Sequence, residues 1–433
     1  MARSRTASDN SNIRLRVLIL STTTGYQLRS FGHAAEGAGI ELMFATDRCH
    51  QLDDPWRDHA VAVRFHEEDA SLDAIVEASR SRPLDGVIAV GDRPVVLAAR
   101  TAQALGLRGN QPAAAAASVN KSLFKRALAR AGLPVPWFFE TSSDAPVSVD
   151  SRVQYPCVIK PIGLSGSRGV MRANTAMELD SASSRLRALL SRKDVRAIRS
   201  GLEDRILIEG FISGREFAIE GVMTSGTVQT FAIFDKPDPL DGPFFEETIY
   251  VTPSTLDRAT QAAVVDQVAR AGAALGLQNG PFHAECRVAP DAIYILEMAA
   301  RPIGGLCSKV LRFEGIPGMS TASLEDVLLR HAVGQDISAV TRETRAAGVM
   351  MIPIPRRGTL RCVHGIEEAS AVAGIEEVQI TAKADQLLEP LPEAGSYLGF
   401  IFARRSDAGH VIRSLNAAHA RLRFDVAAPI EVM

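Results

Sequence analysis

The sequence is short of cysteine and of any charge bias, and both shortages narrow what the chain can be. Its five cysteines, Cys49, Cys157, Cys286, Cys307 and Cys362, are scattered with no CxxC spacing. That argues against a thiolate zinc site and a disulfide framework and points to a reducing cytoplasm. Basic and acidic residues nearly cancel, 48 against 50, for a net charge of -2, so nothing electrostatic draws the chain to nucleic acid or to an anionic membrane surface. Long apolar runs are missing too: RVLIL, which follows a polar tail at 1–12 expected to be disordered, is too short for a membrane span or a signal segment. What remains is ordinary for an enzyme, 46% apolar and 23% charged, and 433 residues suggest two to four domains.

Short β-rich runs, RLRVLIL (14–20), ELMFA (41–45), AVAVRF (60–65) and GVIAV (86–90), alternate with stretches of helical spacing. This predicts a parallel α/β domain over 13–114. STTTG and GDRPV follow strand ends, where open α/β sheets place ligand loops, although STTTG is not a GxGxxG fingerprint. QPAAAAAS (111–118) reads as a linker into a helix, NKSLFKRALARAGLPVP, with Leu123, Phe124, Ala127, Leu128 and Leu133 on one face and Gly132 and Pro134 ending it. Further on, ILIEGFISGREFAIEGVMTSGTVQTFAIF reads as antiparallel strands broken at SGR and TSG. YLGFIFARRSDAGHVIRSLNAAHARLRFDV reads strand, helix, strand, a small closing α/β domain over 341–433. The fold class is therefore α/β and α+β, multidomain.

Three constellations carry chemistry. In YPCVIKPIGLSGSRGV (155–170) a strand-like run ends on Lys160 and gives way to Gly163, Ser165, Gly166, Ser167 and Gly169. Backbone amides, hydroxyls and one lysine suit a phosphate; a flexible turn accounts for the same residues. In ILIEGFISGREFAIEGV (206–222) alternation puts Glu209 on the face of Leu207 and Phe211, where a carboxylate needs a partner. An exposed edge or a structural ion pair meets that need as well as a ligand does. The third is NGPFHAECRVAPDAIYILEMAARPIGG (279–305), two β-runs about a turn at APDA. An odd loop centred near Asp291 would set Glu285 opposite Glu297, whereas an even loop would oppose Glu285 to Leu296 and send the acids to different faces. The odd loop is the expectation. Facing carboxylates repel unless a cation lies between them, and hard oxygens without His or Cys select Mg²⁺ or Mn²⁺. Arg301 offers an anion site, and Gly304 and Gly305 let backbone approach a ligand; two solvated glutamates and an arginine are the plain alternative.

Together these residues resemble the nucleotide site of the ATP-grasp superfamily of carboxylate-amine ligases, most closely its L-amino acid ligase branch, over nearly the whole chain. The resemblance implies a two-lobed core over 115–340, with a mobile lid lobe about 145–208, between the N-terminal and C-terminal domains. It implies that Lys121 and Lys160 bind ATP and that the loop from Gly163 to Gly169, with Ser165, Gly166 and Ser167, covers the phosphates. Glu209, Gly210, Phe211 and Ile212 match the hinge at the adenine, and Glu216 the carboxylate on the ribose. Glu285 and Glu297 match the ligands of Mg²⁺ or Mn²⁺, two ions in all. Lys160 and Arg301 carry catalysis, Arg301 holding the acyl phosphate beside Gly304 and Gly305. In PFFEETIYVTPS, Glu247 holds an acidic substrate-binding position and Tyr250 stands where such ligases often have His, which leaves the amino-acid substrate open. Ala299 stands where many relatives have Asn, implying fewer protein ligands for the second ion. His283 reads as a packing or orienting residue and Lys236 as a contact to substrate or phosphate. The implied activity joins a small-molecule carboxylate to an amine through an acyl phosphate, releasing ADP and phosphate. Carboxylation, acylation of a carrier protein, or ATP binding without catalysis are the other readings. No nucleic acid or membrane partner is implied, and a homodimer is an assembly the resemblance allows.

Overall fold

The computed structural model describes residues 14–22, 27–47 and 60–428; the expected tail, the last three residues of STTTG and Cys49 lie outside them. Four parallel strands form the first sheet in the order Val61–Ala62, Glu41–Thr46, Arg16–Ser21, Gly86–Val90. Its central strand Arg16–Ser21 is buried from Val17 onward, as a strand covered on both faces must be. AVAVRF contributes only the two-residue edge strand Val61–Ala62. At the carboxyl ends of the strands, Thr22 and the turn Gly91–Pro94 face the large cavity described below, the position that open α/β sheets reserve for ligands.

The alanine run is not a linker. It forms the helix Pro112–Val119, because proline in the first turn gives up an N–H that had no partner and alanine is the best helix former. The next helix, Lys121–Arg130, is capped by Asn120, whose side chain accepts from the amides of Ser122 and Leu123 at 3.0 Å. Its buried face is rotated from the expected one: Leu123 is 45% exposed while Lys125 is 1% exposed beside Phe124 and Leu128. A lysine buried at a helical core position is there for a charge, not for packing.

Two further sheets enclose the cavity. The first has the antiparallel order Phe138–Ser142, Arg205–Gly210, Cys157–Pro161, Met171–Ala173. It rests on the helix Ala176–Leu190, which buries Leu179, Leu186 and Leu189 and starts at a Thr175 cap. The second has eight strands in the order Ile293–Ala299, Gly280–Val288, Arg215–Thr224, Thr227–Asp235, Ile249–Thr252, Ala346–Ile352, Gly399–Arg405, Ile375–Ile380. Three strands from beyond residue 341 therefore extend the sheet of the core. The closing strand-helix-strand reading is present as Gly399–Arg405, Ala408–His419 and Arg423–Ala427, but its two strands part. Arg423–Ala427 pairs with Gly358–His364 in a small separate sheet. Among the described residues no helix is long and apolar enough to cross a membrane.

Candidate functional site

The glutamate pair is set by the hairpin Gly280–Val288 and Ile293–Ala299. Val288 pairs with Ile293, so the loop between them is even, contrary to the expectation, and Cys286 pairs with Ile295. A bulge at Leu296 then shifts the register by one, and Glu285 pairs directly with Glu297. The extra residue does what an odd loop would have done. On the other side of Gly280–Val288, Arg287 pairs with Glu216 and His283 with Glu220 across the strand Arg215–Thr224. Period-2 alternation thus puts His283, Glu285, Arg287, Glu216 and Glu220 on one sheet face.

That face forms one wall of a cavity of about 570 Å³. At one end Glu209 lies between two lysines: Lys160 forms an ion pair with its Oε1, and Lys125 Nζ stands 3.1 Å from its Oε2, off the hydrogen-bonding angle. Burial alone would push this carboxyl up, but the charges of Lys125 and Lys160 outweigh it and hold Glu209 at about 2. The structural ion pair weighed for Glu209 is real, and it faces the cavity. Lys121 Nζ donates to the carbonyl of Leu164 in the glycine loop. At the hinge the Gly210 amide donates to Trp137 O and the Phe211 amide to Pro156 O; the Ile212 amide makes no hydrogen bond to another described residue. The Ile212 carbonyl accepts from Arg287 Nη1 at 2.6 Å, while Arg287 Nε holds Glu216 at 2.9 Å.

Deeper in the cavity, Glu216, Glu247 and Glu285 bring carboxylate oxygens within 4.8 Å of one another. Lys236 already fills the space between them, 2.8 Å from Glu216 and 3.2 Å from Glu285 and paired with Glu247 as well, so this triangle is compensated. Burial, aided by Glu285 and Glu216 and opposed by Lys236, raises Glu247 to about 7. Tyr250 lies with its hydroxyl 3.5 Å from Glu285 Oε1 and its ring 5.0 Å from Lys236. Lys236, His283 and Tyr250 all reach Oε1 of Glu285, and Glu297 faces the same cavity. Two opposed carboxylates, with Glu285 Oε2 left by these partners, fit a hard divalent ion.

Arg301 is buried and donates through Nε to Asp92 at 2.7 Å and through Nη1 to Pro302 O at 3.1 Å. Asp92 comes from the GDRPV turn of the first domain. Burial raises its carboxyl, but Arg301, and to a lesser degree Lys121 and Ser165, bring it below its ordinary value. Glu220 accepts from the amide of Ile303 at 3.0 Å and binds His283 Nδ1 at 3.2 Å, fixing the loop that carries Arg301, Gly304 and Gly305. Burial opposes protonation of His283, but Glu220 and Glu285 raise it to about 9. His283 thus lies between two acids, with Nδ1 at Glu220 and Nε2 at Glu285.

The glycine loop is held against residues 389–395. Gly169 donates to Pro392 O at 2.9 Å and Arg168 Nε to Glu393 O at 2.8 Å, while Arg185 pairs with Glu393 and Arg192 with Glu389 at 2.7 Å. Gly169 has φ 76, and a Cβ there would meet Leu186 at 2.9 Å, so the loop closes tightly only with glycine. Replacing Glu393 with alanine removes one exposed pair worth about 0.2–1 kcal/mol. Hydrogen exchange at the amides of 163–170 should quicken by no more than roughly fivefold; a larger change would mean that the loop depends on this one contact.

The sequence reading names Lys160, Glu209, Glu216, Glu285, Glu297 and Arg301, and the structure brings them to one cavity together with Lys121, Glu247, Tyr250, Val170 and the segments 163–168, 209–212 and 303–305; Gly169, also expected at the phosphates, does not line it and instead packs against Leu186, Leu189 and Pro161. It does not name Lys125, Asp92, Glu220 or Arg287. Arg287 and Lys125 were detectable, one by alternation from Glu285 and the other by helical spacing from Lys121. Asp92 and Glu220 act across long sequence separations that no local pattern reports.

Three family models match the chain: an ATP-grasp N-terminal domain over residues 32–109, an ATP-grasp domain over 153–310, and the L-amino acid ligase C-terminal domain 2 over 350–427. The uncharacterized protein y4rH of Sinorhizobium fredii is 27% identical over 357 residues, 79% of this chain and 70% of that protein. The alanine–anticapsin ligase of Bacillus subtilis is 25% identical over 252 residues, 55% of this chain but only 52% of the ligase. Human carnosine synthase 1 is 28% identical over 284 residues, 62% of this chain and 34% of that enzyme. The chain therefore spans about half of the first enzyme and a third of the second. Among solved structures, the L-amino acid ligase from Bacillus licheniformis superposes with a TM-score of 0.80 at 26% identity, covering 96% of this chain and 100% of that one. Domain models at the beginning, middle and end of the sequence, and a similar whole-chain architecture, agree with the lysines, opposed glutamates and arginine around one cavity: the chain carries ATP-grasp domains followed by an L-amino acid ligase C-terminal domain and is similar throughout to a solved L-amino acid ligase.

Proposed function

We propose that this protein joins a carboxylate to an amine with ATP, an amino acid being one substrate, through an acyl phosphate and with release of ADP and phosphate. The observation that supports this most is the register that sets Glu285 against Glu297 in the same cavity as Arg301 and the Lys160–Glu209 pair. On this reading Lys121, Lys160 and the amides of 163–167 hold the phosphates and spread the charge of the transferring phosphoryl group. The amide of Ile212 reads the adenine and Glu216, braced by Arg287 and Lys236, faces the ribose. Glu285 and Glu297 would hold Mg²⁺ or Mn²⁺, two ions in all, which when bound neutralise phosphate charge. Arg301 binds the carboxylate and then the oxyanion formed when the amine attacks, exchanging part of its hold on Asp92 for the substrate. Glu247 binds the substrate ammonium group. The lid, closed on residues 389–395, keeps water from the acyl phosphate.

A matrix of carboxylates against amines, read by phosphate release and by mass spectrometry of the product, tests the proposal. ADP should form only where a condensed amide appears. A requirement for bicarbonate or for a thiol acceptor would overturn it. Glu297→Ala should lower metal-dependent ADP release by about 10²-fold, the order expected for losing one charge-stabilising group in an active site; a rate equal to the unaltered chain's would remove Glu297 from the metal site.

A further inference from the structure

The cavity has two ends of opposite chemistry, and we infer, resting on the ligase reading above, that the far end receives the uncharged apolar side chain of the substrate whose carboxylate is activated. The segregation is written on one sheet face. Glu297, Glu285, His283, Arg287 and Glu216 occupy it on three neighbouring strands. Tyr250 marks the boundary and pairs with Val349. Beyond it the same face is apolar across two strands, where Val349 pairs with Phe402 and Met351 with Phe400, and it turns polar again only at Arg404 and at Glu377 and Gln379 of the edge strand. Val349 and Phe402 are sealed into the core, whereas Met351 and Phe400 line the cavity with Tyr397 and Cys307. The Tyr397 ring lies 6.3 Å from that of Phe400.

One loop spans both ends. Arg301 begins it at the anion site, and Gly305, at φ 61, runs so close to the Phe400 ring that a Cβ there would stand 3.3 Å away. A small molecule with its carboxylate at Arg301 therefore has its side chain beside Met351, Phe400 and Tyr397. Both lysines near this wall are already engaged: Lys236, 5.0 Å from the Tyr250 ring, by Glu216, Glu247 and Glu285, and Lys309, 4.9 Å over the Phe402 ring, by Glu377 and Gln379. An acidic side chain would arrive without a counter-charge, and a basic one would find Glu247 shared already between Lys236 and the ammonium group of the substrate. Burying an unpaired charge is disfavoured far more than burying a methylene is favoured.

The test uses the full chain with ATP and Mg²⁺ and replaces the amine by hydroxylamine, so that only the carboxylate substrate is read. The hydroxylamine nitrogen attacks the acyl carbon, a C–N bond forms, the bond to the phosphate oxygen breaks with its electron pair, and the nitrogen gives a proton to solvent. Alanine, leucine, methionine, phenylalanine, aspartate and lysine serve as donors. Hydroxamate from leucine, methionine or phenylalanine should exceed that from alanine, aspartate and lysine by at least about 10-fold, the effect of one methylene in an apolar pocket. Tyr397→Arg, at a half-buried position, should abolish that preference and raise aspartate relative to leucine, while Tyr397→Phe keeps it. Equal yields from all donors, or a preference for aspartate or lysine, would overturn the inference and leave the ligase reading standing. Hydroxamate from none of these donors, with ADP released on adding other carboxylates, would overturn the inference alone; no ADP with any carboxylate would overturn both.

Discussion

Replacing Arg301 with alanine should cut product formation by about 10²-fold or more while leaving the affinity for ATP nearly unchanged. Its guanidinium is buried and held at one nitrogen by Asp92 at 2.7 Å and at another by Pro302 O at 3.1 Å. It is thus pre-aimed, and a donor fixed before the reaction stabilises developing charge without reorganising. Loss of one such donor costs about 10²–10³ in turnover where it has been measured. The expected pattern is a fall in kcat that Arg301→Lys restores only in part, because an ammonium lacks the planar fork that grips a carboxylate. Asp92→Asn separates aiming from charge. Arg301 keeps its place near a neutral partner, and the fall should be smaller than for Arg301→Ala. If ATP affinity drops as much as turnover does, Arg301 belongs to the nucleotide site and the proposed oxyanion role is wrong.

What could be read from the sequence divides by the range of the interaction. Alternation and spacing are local, and they lead from HAEC and ILEM to two glutamates on one face and from ILIEG to a carboxylate in want of a partner. The facing pair is reached by a different route than the residues suggest. The loop around Asp291 is even, and the bulge at Leu296 restores the register; a bulge leaves no mark in a run such as YILEM. Glu209's partners illustrate the other limit. Lys160 comes from an adjacent antiparallel strand and Lys125 from a helix that precedes the whole lobe, so only the assembled fold shows that they converge. The alanine run misleads because alanines suit a linker and a helix equally until Pro112 is recognised as a first-turn proline. The C-terminal strands were legible as strands, but their joining the core sheet through Ala346–Ile352 depends on pairings far apart in sequence. That joining matters most for function, since it brings Met351 and Phe400 onto the sheet face that carries the glutamates.

Glu209→Gln should lower the unfolding free energy by about 3 kcal/mol at neutral pH, the lower part of the range for breaking a buried ion pair from one side. The substitution leaves Lys125, 1% exposed, without its counter-charge. Burial already pulls Lys125 below its usual value, so it can release its proton, which limits the cost. The same number follows from titration. Glu209 stands at about 2 in the folded chain against about 4.3 in an unfolded one, and each unit corresponds to about 1.4 kcal/mol. The folded value is depressed, so this contribution is complete above about pH 4.3 and is lost as the pH falls through about 2. Glutamine has no such titration. Denaturant unfolding of the two chains should therefore differ by about 3 kcal/mol at pH 7, and the gap should close steadily between about pH 4.3 and pH 2. A gap that stays constant over that interval would show that the lysines around Glu209 do not act through its charge.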